Sequence, residues 1–146
     1  MTNLNEYMKT TPLQPEPTMW GDKELKPLGV GLGTKGLPGG MSGVDRFVRI
    51  AYLKSRCAES ENLLTGISQF FHMLNNVAMP RGAVINDNLD DITIYTSCMC
   101  LDKGIYYYNT YNNIGVCSVD MNKEDLDSKT IKRFDYIEEL QITQNN

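Results

Sequence analysis

Few groups in this sequence could do chemistry. Arg46, Arg49 and Arg56 recur at helical spacing, and Arg46 falls in the first turn of a predicted helix, where a cation opposes the helix dipole. On periodicity alone the three form a solvated stripe. Gly31-Leu-Gly33-Thr-Lys-Gly36 has the spacing G-x-G-x-x-G, but a dinucleotide site needs a strand before it and a helix after it. Lys26-Pro27 precedes and Leu37-Pro38-Gly39-Gly40 follows, so the run reads as a structural glycine loop; Lys35 followed by Gly36 is not a phosphate loop either. Cys98-Met-Cys100 puts two sulfurs on one face of a strand. Zinc would need two further ligands, and Cys57, Cys117 and His72 have no paired spacing, so the expectation is core cysteines and no metal. His72 lies at the edge of a polar helix face and is tied to no Ser or Cys by a recognisable spacing. Thr2, once Met1 is removed, would be an N-terminal hydroxyl nucleophile with its own amine as base, but it leads into polar, irregular chain rather than a buried strand.

The elements that must position these groups follow from the pattern. Residues 1–44 hold 5 of the 6 prolines and 8 of the 12 glycines, a punctuated, irregular stretch. Arg46 to Arg56 reads as a helix with Phe47, Val48, Ile50, Ala51, Tyr52 and Leu53 on a wide apolar face, capped by Ser42 or Asp45. A second helix is expected from about Ser60 to Ala78. Leu63, Leu64, Ile67, Phe70, Phe71, Leu74, Val77 and Ala78 keep one continuous apolar stripe, and Pro80 ends it. Residues 81–91 form a polar connection. Three strands follow, Ile92 to Leu101, Ile105 to Tyr111 and Ile114 to Met121, joined by turns at Asp102-Lys103-Gly104 and Asn112-Asn113. Tyr106, Tyr107 and Tyr108 alternate faces on the middle strand. Lys123 to Asp135 is loop, and Tyr136 to Thr143 is expected as a last edge strand. The class is α+β: loop-rich 1–44, two helices in 45–79, and an antiparallel meander in 92–143. Both faces of the meander carry apolar or aromatic residues, so both call for cover. Its own helices cover one, which makes the chain read as part of a larger fold.

Composition agrees with a globular chain and narrows its partners. Of 146 residues, 14 are Lys or Arg and 18 are Asp or Glu, a net charge of −4, and 41% are apolar. A mildly acidic chain without a basic cluster argues against a nucleic-acid partner, and no apolar run is long enough to span a membrane. Four cysteines without an export signal point to reduced thiols and a cytoplasmic location.

Several long motifs occur in order: Gly31-Leu-Gly-Thr-Lys-Gly-Leu-Pro-Gly39, Arg46-Phe-Val-Arg49, Phe70-Phe-His-Met-Leu-Asn-Asn-Val-Ala-Met79, Tyr95 to Tyr111 and Val119 to Asp127. In them the chain resembles the choloylglycine hydrolase family, the bile salt hydrolases first and the penicillin V acylases as relatives. The resemblance covers essentially the whole chain but only the C-terminal half of the family's length. It implies the C-terminal half of an N-terminal-nucleophile hydrolase, an αββα sandwich. The implied parent reaction is amide hydrolysis that releases glycine or taurine from conjugated bile salts; a penicillin V acylase-like parent and a non-catalytic remnant or assembly half are the alternatives. An N-terminal Cys thiolate is the family's nucleophile, and no position here corresponds to it, so the chain alone is expected to be inactive. The resemblance carries over one catalytic arginine, Arg46, which opens the helix after the Gly-Leu-Pro-Gly loop and would hold positive charge beside the nucleophile and the developing oxyanion. Asp45 stands where the family usually has Ser, and Gly40 replaces a frequent Asp, so a carboxylate adjoins that arginine. No cofactor or metal is implied. The implied partners are the missing N-terminal half and, for the complete protein, further copies of itself in a homo-oligomer.

Overall fold

The computed structural model describes residues 2–146, with side chains from residue 4 onward; the Thr2 hydroxyl considered above lies outside the described residues. Contacts divide the chain into two units, Met1–Val77 and Ala78–Asn146.

The first unit opens with a single helical turn, α1 (Thr2–Asn5). Within the stretch expected to be irregular, β1 (Thr18–Trp20) and β2 (Lys23–Leu25) form a small antiparallel hairpin pairing Thr18 with Leu25 and Trp20 with Lys23. Gly21 makes its turn at φ 60°, in the left-handed region glycine tolerates. α2 (Gly43–Arg56) begins at Ser42, whose Oγ accepts the Asp45 amide at 3.1 Å. That decides the cap in favour of Ser42, a contribution of about 1 kcal/mol.

α3 (Leu63–Asn75) is shorter than expected at both ends. Its start is set by a reciprocal box at Asn62 rather than by Ser60. Asn62 Oδ1 accepts the Thr65 amide at 3.1 Å, and Thr65 Oγ1 accepts the Asn62 amide at 3.3 Å. Its end comes before Pro80 can act. The amides of Asn76 and Val77 bond three residues back, to the Met73 and Leu74 carbonyls at 3.1 and 3.0 Å, tightening the last turn. Val48 of α2, Ile67 and Phe71 of α3 and the following Val77 are buried, and the Phe70 and Phe71 rings meet edge to face at 5.6 Å.

In the second unit, the expected connection 81–91 contains a hairpin, β3 (Ile85–Asn86) and β4 (Leu89–Asp90). Asp87 and Asn88 both have positive φ, 49° and 63°, the mark of a type I′ turn. The main sheet has strand order β5 (Tyr95–Cys100), β6 (Ile105–Thr110), β7 (Cys117–Asp120), all antiparallel. Cys98 faces Tyr107, and Tyr106 lies between Met99 and Val119. One face therefore presents Tyr95, Met99, Tyr106, Tyr108 and Val119; the other presents Cys98, Cys100, Tyr107 and Asn109.

The strands are shorter than expected, and residues 136–143 form no strand. Side chains take up the hydrogen bonds a ladder would have used. Asn113, 1% exposed, accepts the Gly115 amide on Oδ1 at 3.2 Å and donates its own amide to Thr110 Oγ1 at 3.0 Å, which holds 113–115 in a turn. Thr110 Oγ1 donates to the Ile137 carbonyl at 2.8 Å, the Gln141 amide donates to Asn113 Oδ1 at 3.4 Å, and Tyr136 Oη donates to the Ile94 carbonyl at 3.1 Å. The C-terminal stretch is tethered at points rather than paired along its length.

Large apolar residues are exposed in both units: Met19, Trp20, Leu28, Val30, Ile94, Tyr95, Met99 and Leu101 are all more than half exposed.

Candidate active site

The glycine loop is built by its own backbone. Leu32–Thr34 makes one 3-10 turn, with Thr34 Oγ1 donating to the Gly31 carbonyl at 2.7 Å. Gly33 meets the carbonyls of Thr11 and Leu13 so closely that a β-carbon would collide with both, and its own carbonyl accepts the Thr11 amide at 2.9 Å. Residues 26–30 before the run and 37–40 after it are irregular chain, so its spacing answers to local packing rather than to a phosphate.

From this loop the chain passes through Pro38 and Gly40 into α2. The cationic corner of the first unit assembles there. Arg46, half-buried, donates from Nε to the Val77 carbonyl at 2.8 Å. Arg49 is only 7% exposed. Its Nη1 donates to the carbonyls of Pro38 at 2.8 Å and Gly40 at 2.7 Å, and its Nε donates to Asn76 at 3.0 Å. Both guanidiniums thus reach carbonyls just past the C-terminus of α3, where the helix dipole favours a cation. The unfavourable position of Arg46 in the first turn of its own helix is offset at the end of the next.

The three-arginine stripe therefore divides: Arg56 is exposed, Arg46 half-buried and Arg49 buried. Arg49 was legible in one respect. Its neighbours three and four residues on are Tyr52 and Leu53, which put it on the apolar face.

Asp45 does not pair with Arg46; no ion pair joins them among the described residues. Its carboxylate lies over Gly40 instead, where a β-carbon would overlap Asp45 Oδ2 and stand 3.0 Å from its Cγ. Positions 40 and 45 thus meet in space, because the absent side chain at 40 makes room for the carboxylate at 45. Asp45 also lies in the first turn of α2, where a negative charge suits the dipole.

The remaining candidates lie apart from chemistry. All four cysteines are free thiols. Burial pushes the Cys98 thiol up from its ordinary value, and Cys100 beside it adds to the rise, the direction opposite to that of an activated nucleophile. No cluster able to hold a metal occurs among the described residues. His72 is exposed on α3. Tyr106 and Tyr108 stack at 5.9 Å on the open sheet face, where with Tyr95, Met99, Val119 and Tyr136 they line a cavity of about 550 Å³.

Comparison with known proteins identifies the frame that carries this corner. Residues 1–134 match the linear amide C-N hydrolases, choloylglycine hydrolase family. The chain belongs to that family. A bile salt hydrolase/transferase of Clostridium perfringens is 44% identical over 147 residues, covering 100% of this chain and 45% of the relative. One from Lactiplantibacillus plantarum is 38% identical and covers 86% of this chain and 39% of the relative. The chain thus spans less than half the length of the curated relatives it matches. Among solved structures, a Cys-to-Ala variant of conjugated bile acid hydrolase from Clostridium perfringens superimposes with a TM-score of 0.90 at 44% identity, over 99% of this chain and 44% of that one. Penicillin V acylase from Agrobacterium tumefaciens gives 0.57 at 29% identity over 67% of this chain and 31% of that one. The helix pair and antiparallel sheets are accordingly a portion of the N-terminal-nucleophile hydrolase fold. No helix among the described residues is long and apolar enough to cross a membrane.

Proposed function

We propose that this chain is the C-terminal part of a bile salt hydrolase-like amidase, and that Arg46 is its contribution to the catalytic centre. The observation that carries the reading is the Arg46 side chain. Its Nε is anchored on the Val77 carbonyl, while no hydrogen bond engages its two Nη atoms among the described residues. A guanidinium fixed at one edge and open at the other can present two donors to a developing negative charge. In amide hydrolysis a thiolate attacks the carbonyl carbon, the oxygen becomes an oxyanion, and the C–N bond then breaks with protonation of the leaving amine. A fixed cation beside that centre lowers the energy of thiolate and oxyanion together. The thiolate would come from an N-terminal half, whose sheet would cover the open tyrosine face. Tyr95 and Met99, each more than half exposed on that face, support the pairing.

The substrate class, glycine- or taurine-conjugated bile salts, is supported by the names of relatives 44% and 38% identical to this chain. A penicillin V acylase-like substrate has weaker support, at 29% identity. Self-association of the complete protein is favoured by the exposed Met19 and Trp20 of the first hairpin and by Leu28 and Val30 after it. A cytoplasmic location fits four unpaired thiols.

The test is reconstitution with a separately produced N-terminal half of a bile salt hydrolase. The mixture is expected to cleave glycocholate faster than phenoxymethylpenicillin, and this chain alone to cleave neither. Preference for phenoxymethylpenicillin would transfer the chain to the acylases. Thiol-dependent hydrolysis by the chain alone would refute the division of labour.

A further inference from the structure

The buried arginine of α2 has no assigned role, and its bonding suggests one. Arg49 holds three carbonyls from two segments: Pro38 and Gly40 in the loop that enters α2, and Asn76 just past α3. Arg46, one turn earlier on the same helix, holds the next carbonyl, Val77. Asn76 and Val77 are adjacent, so the two guanidiniums grip one short piece of chain. Arg49 alone also grips the loop, and it is the more deeply buried of the two. Its remaining donor, Nη2, is buried without a partner. A buried unpaired donor is unfavourable, so the packing of this corner retains the arginine in spite of that cost.

The geometry points to Arg49 as the positioning residue for Arg46. By fastening the 38–40 loop and the end of α3 to one planar fork, it sets the distance between the first turn of α2 and the Val77 carbonyl, and so where the Arg46 guanidinium stands. A lysine could keep the charge but not the fork, since an ammonium is a point donor without the planar geometry that spans separated carbonyls. The consequence for catalysis rests on the reading of Arg46 given above. The positioning itself does not, and it is tested without any activity measurement.

The experiment is nitrogen-15 NMR of the arginine Nε–H groups in the 146-residue chain, comparing the unaltered protein with Arg49→Lys and with Ser42→Ala. Arg49→Lys is expected to move the Arg46 Nε–H resonance toward that of free arginine. It should also speed its exchange with water about tenfold or more, the scale of a lost charge-assisted hydrogen bond. Ser42→Ala, which weakens α2 through its cap, should leave the Arg46 signal in place. An unmoved Arg46 signal in Arg49→Lys, or an equal shift in Ser42→Ala, would reduce Arg49 to a structural residue and overturn the proposal. A second measurement needs no variant. In the unaltered chain the Arg49 Nε–H should be at least as protected from exchange as that of Arg46, and a faster-exchanging Arg49 would equally overturn it.

Discussion

The corner formed by α2 and α3 and the sheet formed by β5, β6 and β7 solve the problem of order differently. In the corner, Val48, Ile67, Phe71 and Val77 are buried together, both helices have side-chain caps, and two arginines satisfy carbonyls beyond α3. In the sheet, Tyr107 is the buried apolar residue, while Tyr95 and Met99 remain 57% exposed on a face that also carries Tyr106 and Tyr108. The helix pair buries a core of its own, although Phe47 and Leu64 from the expected apolar faces stay more than half exposed; the tyrosine face presents apolar area that another layer would remove from water. One unit with a buried core of its own and another with an exposed aromatic sheet face are what one part of a larger fold would show.

The sharpest break in this comparison is a core truncation. Phe71→Ala should destabilise the first unit by about 3–5 kcal/mol, enough to abolish its cooperative thermal unfolding by circular dichroism. Next is the contact of Gly40 with Asp45. Gly40→Ala should cost about 1–3 kcal/mol through overpacking, and Asp45→Gly in the same chain should recover most of the loss. Denaturant midpoints of the two single variants and the double variant measure that coupling, and additive effects would show that the two positions do not share a space. Removing a cap, by Ser42→Ala or Asn62→Ala, should cost about 1 kcal/mol each. On the open sheet face the expected effect in the isolated chain is the smallest. Met99→Ser should shift stability by no more than about 0.5 kcal/mol, yet weaken capture by an N-terminal half in a titration.

The pH dependence separates the regions further. Burial raises both the Cys98 thiol, ordinarily at 9.0, and the Tyr108 phenol, ordinarily at 10.0. Above those values the unfolded chain releases protons that the folded sheet still holds, so folded stability falls as pH rises. The sheet should therefore lose protection above pH 9.0, as read by amide exchange of Tyr107. No such decline is expected below that pH from these two groups.

What could be read from sequence followed the range of each signal. α3 was legible because Leu63, Ile67, Phe71 and Leu74 repeat a 3.6-residue period over several turns, and the three tyrosines alternated as a strand requires. The hairpins at 18–25 and 85–90 escaped because strands of two or three residues have no period to detect. In the second hairpin, Asp87-Asn88 was the turn signal that could have found it. Residues 136–143 looked like a strand by composition, but Thr110, Asn113 and Tyr136 offer side-chain partners that composition does not encode. Arg46 could be singled out only through motifs shared with a family. Arg49 was misread as solvated because a stripe of like charges masks a member whose partners are carbonyls 27 and 9 residues away.

On the proposed reading, this chain supplies the site arginine to a nucleophile from another segment. The direct measurement is glycine release from glycocholate by the chain reconstituted with a bile salt hydrolase N-terminal half, with and without Arg46→Ala. Release by the unaltered mixture is expected, with a fall of about 100-fold or more in the variant, the scale for removing an oxyanion-stabilising group. No release from the mixture, or an Arg46→Ala mixture that keeps the full rate, would contradict that reading.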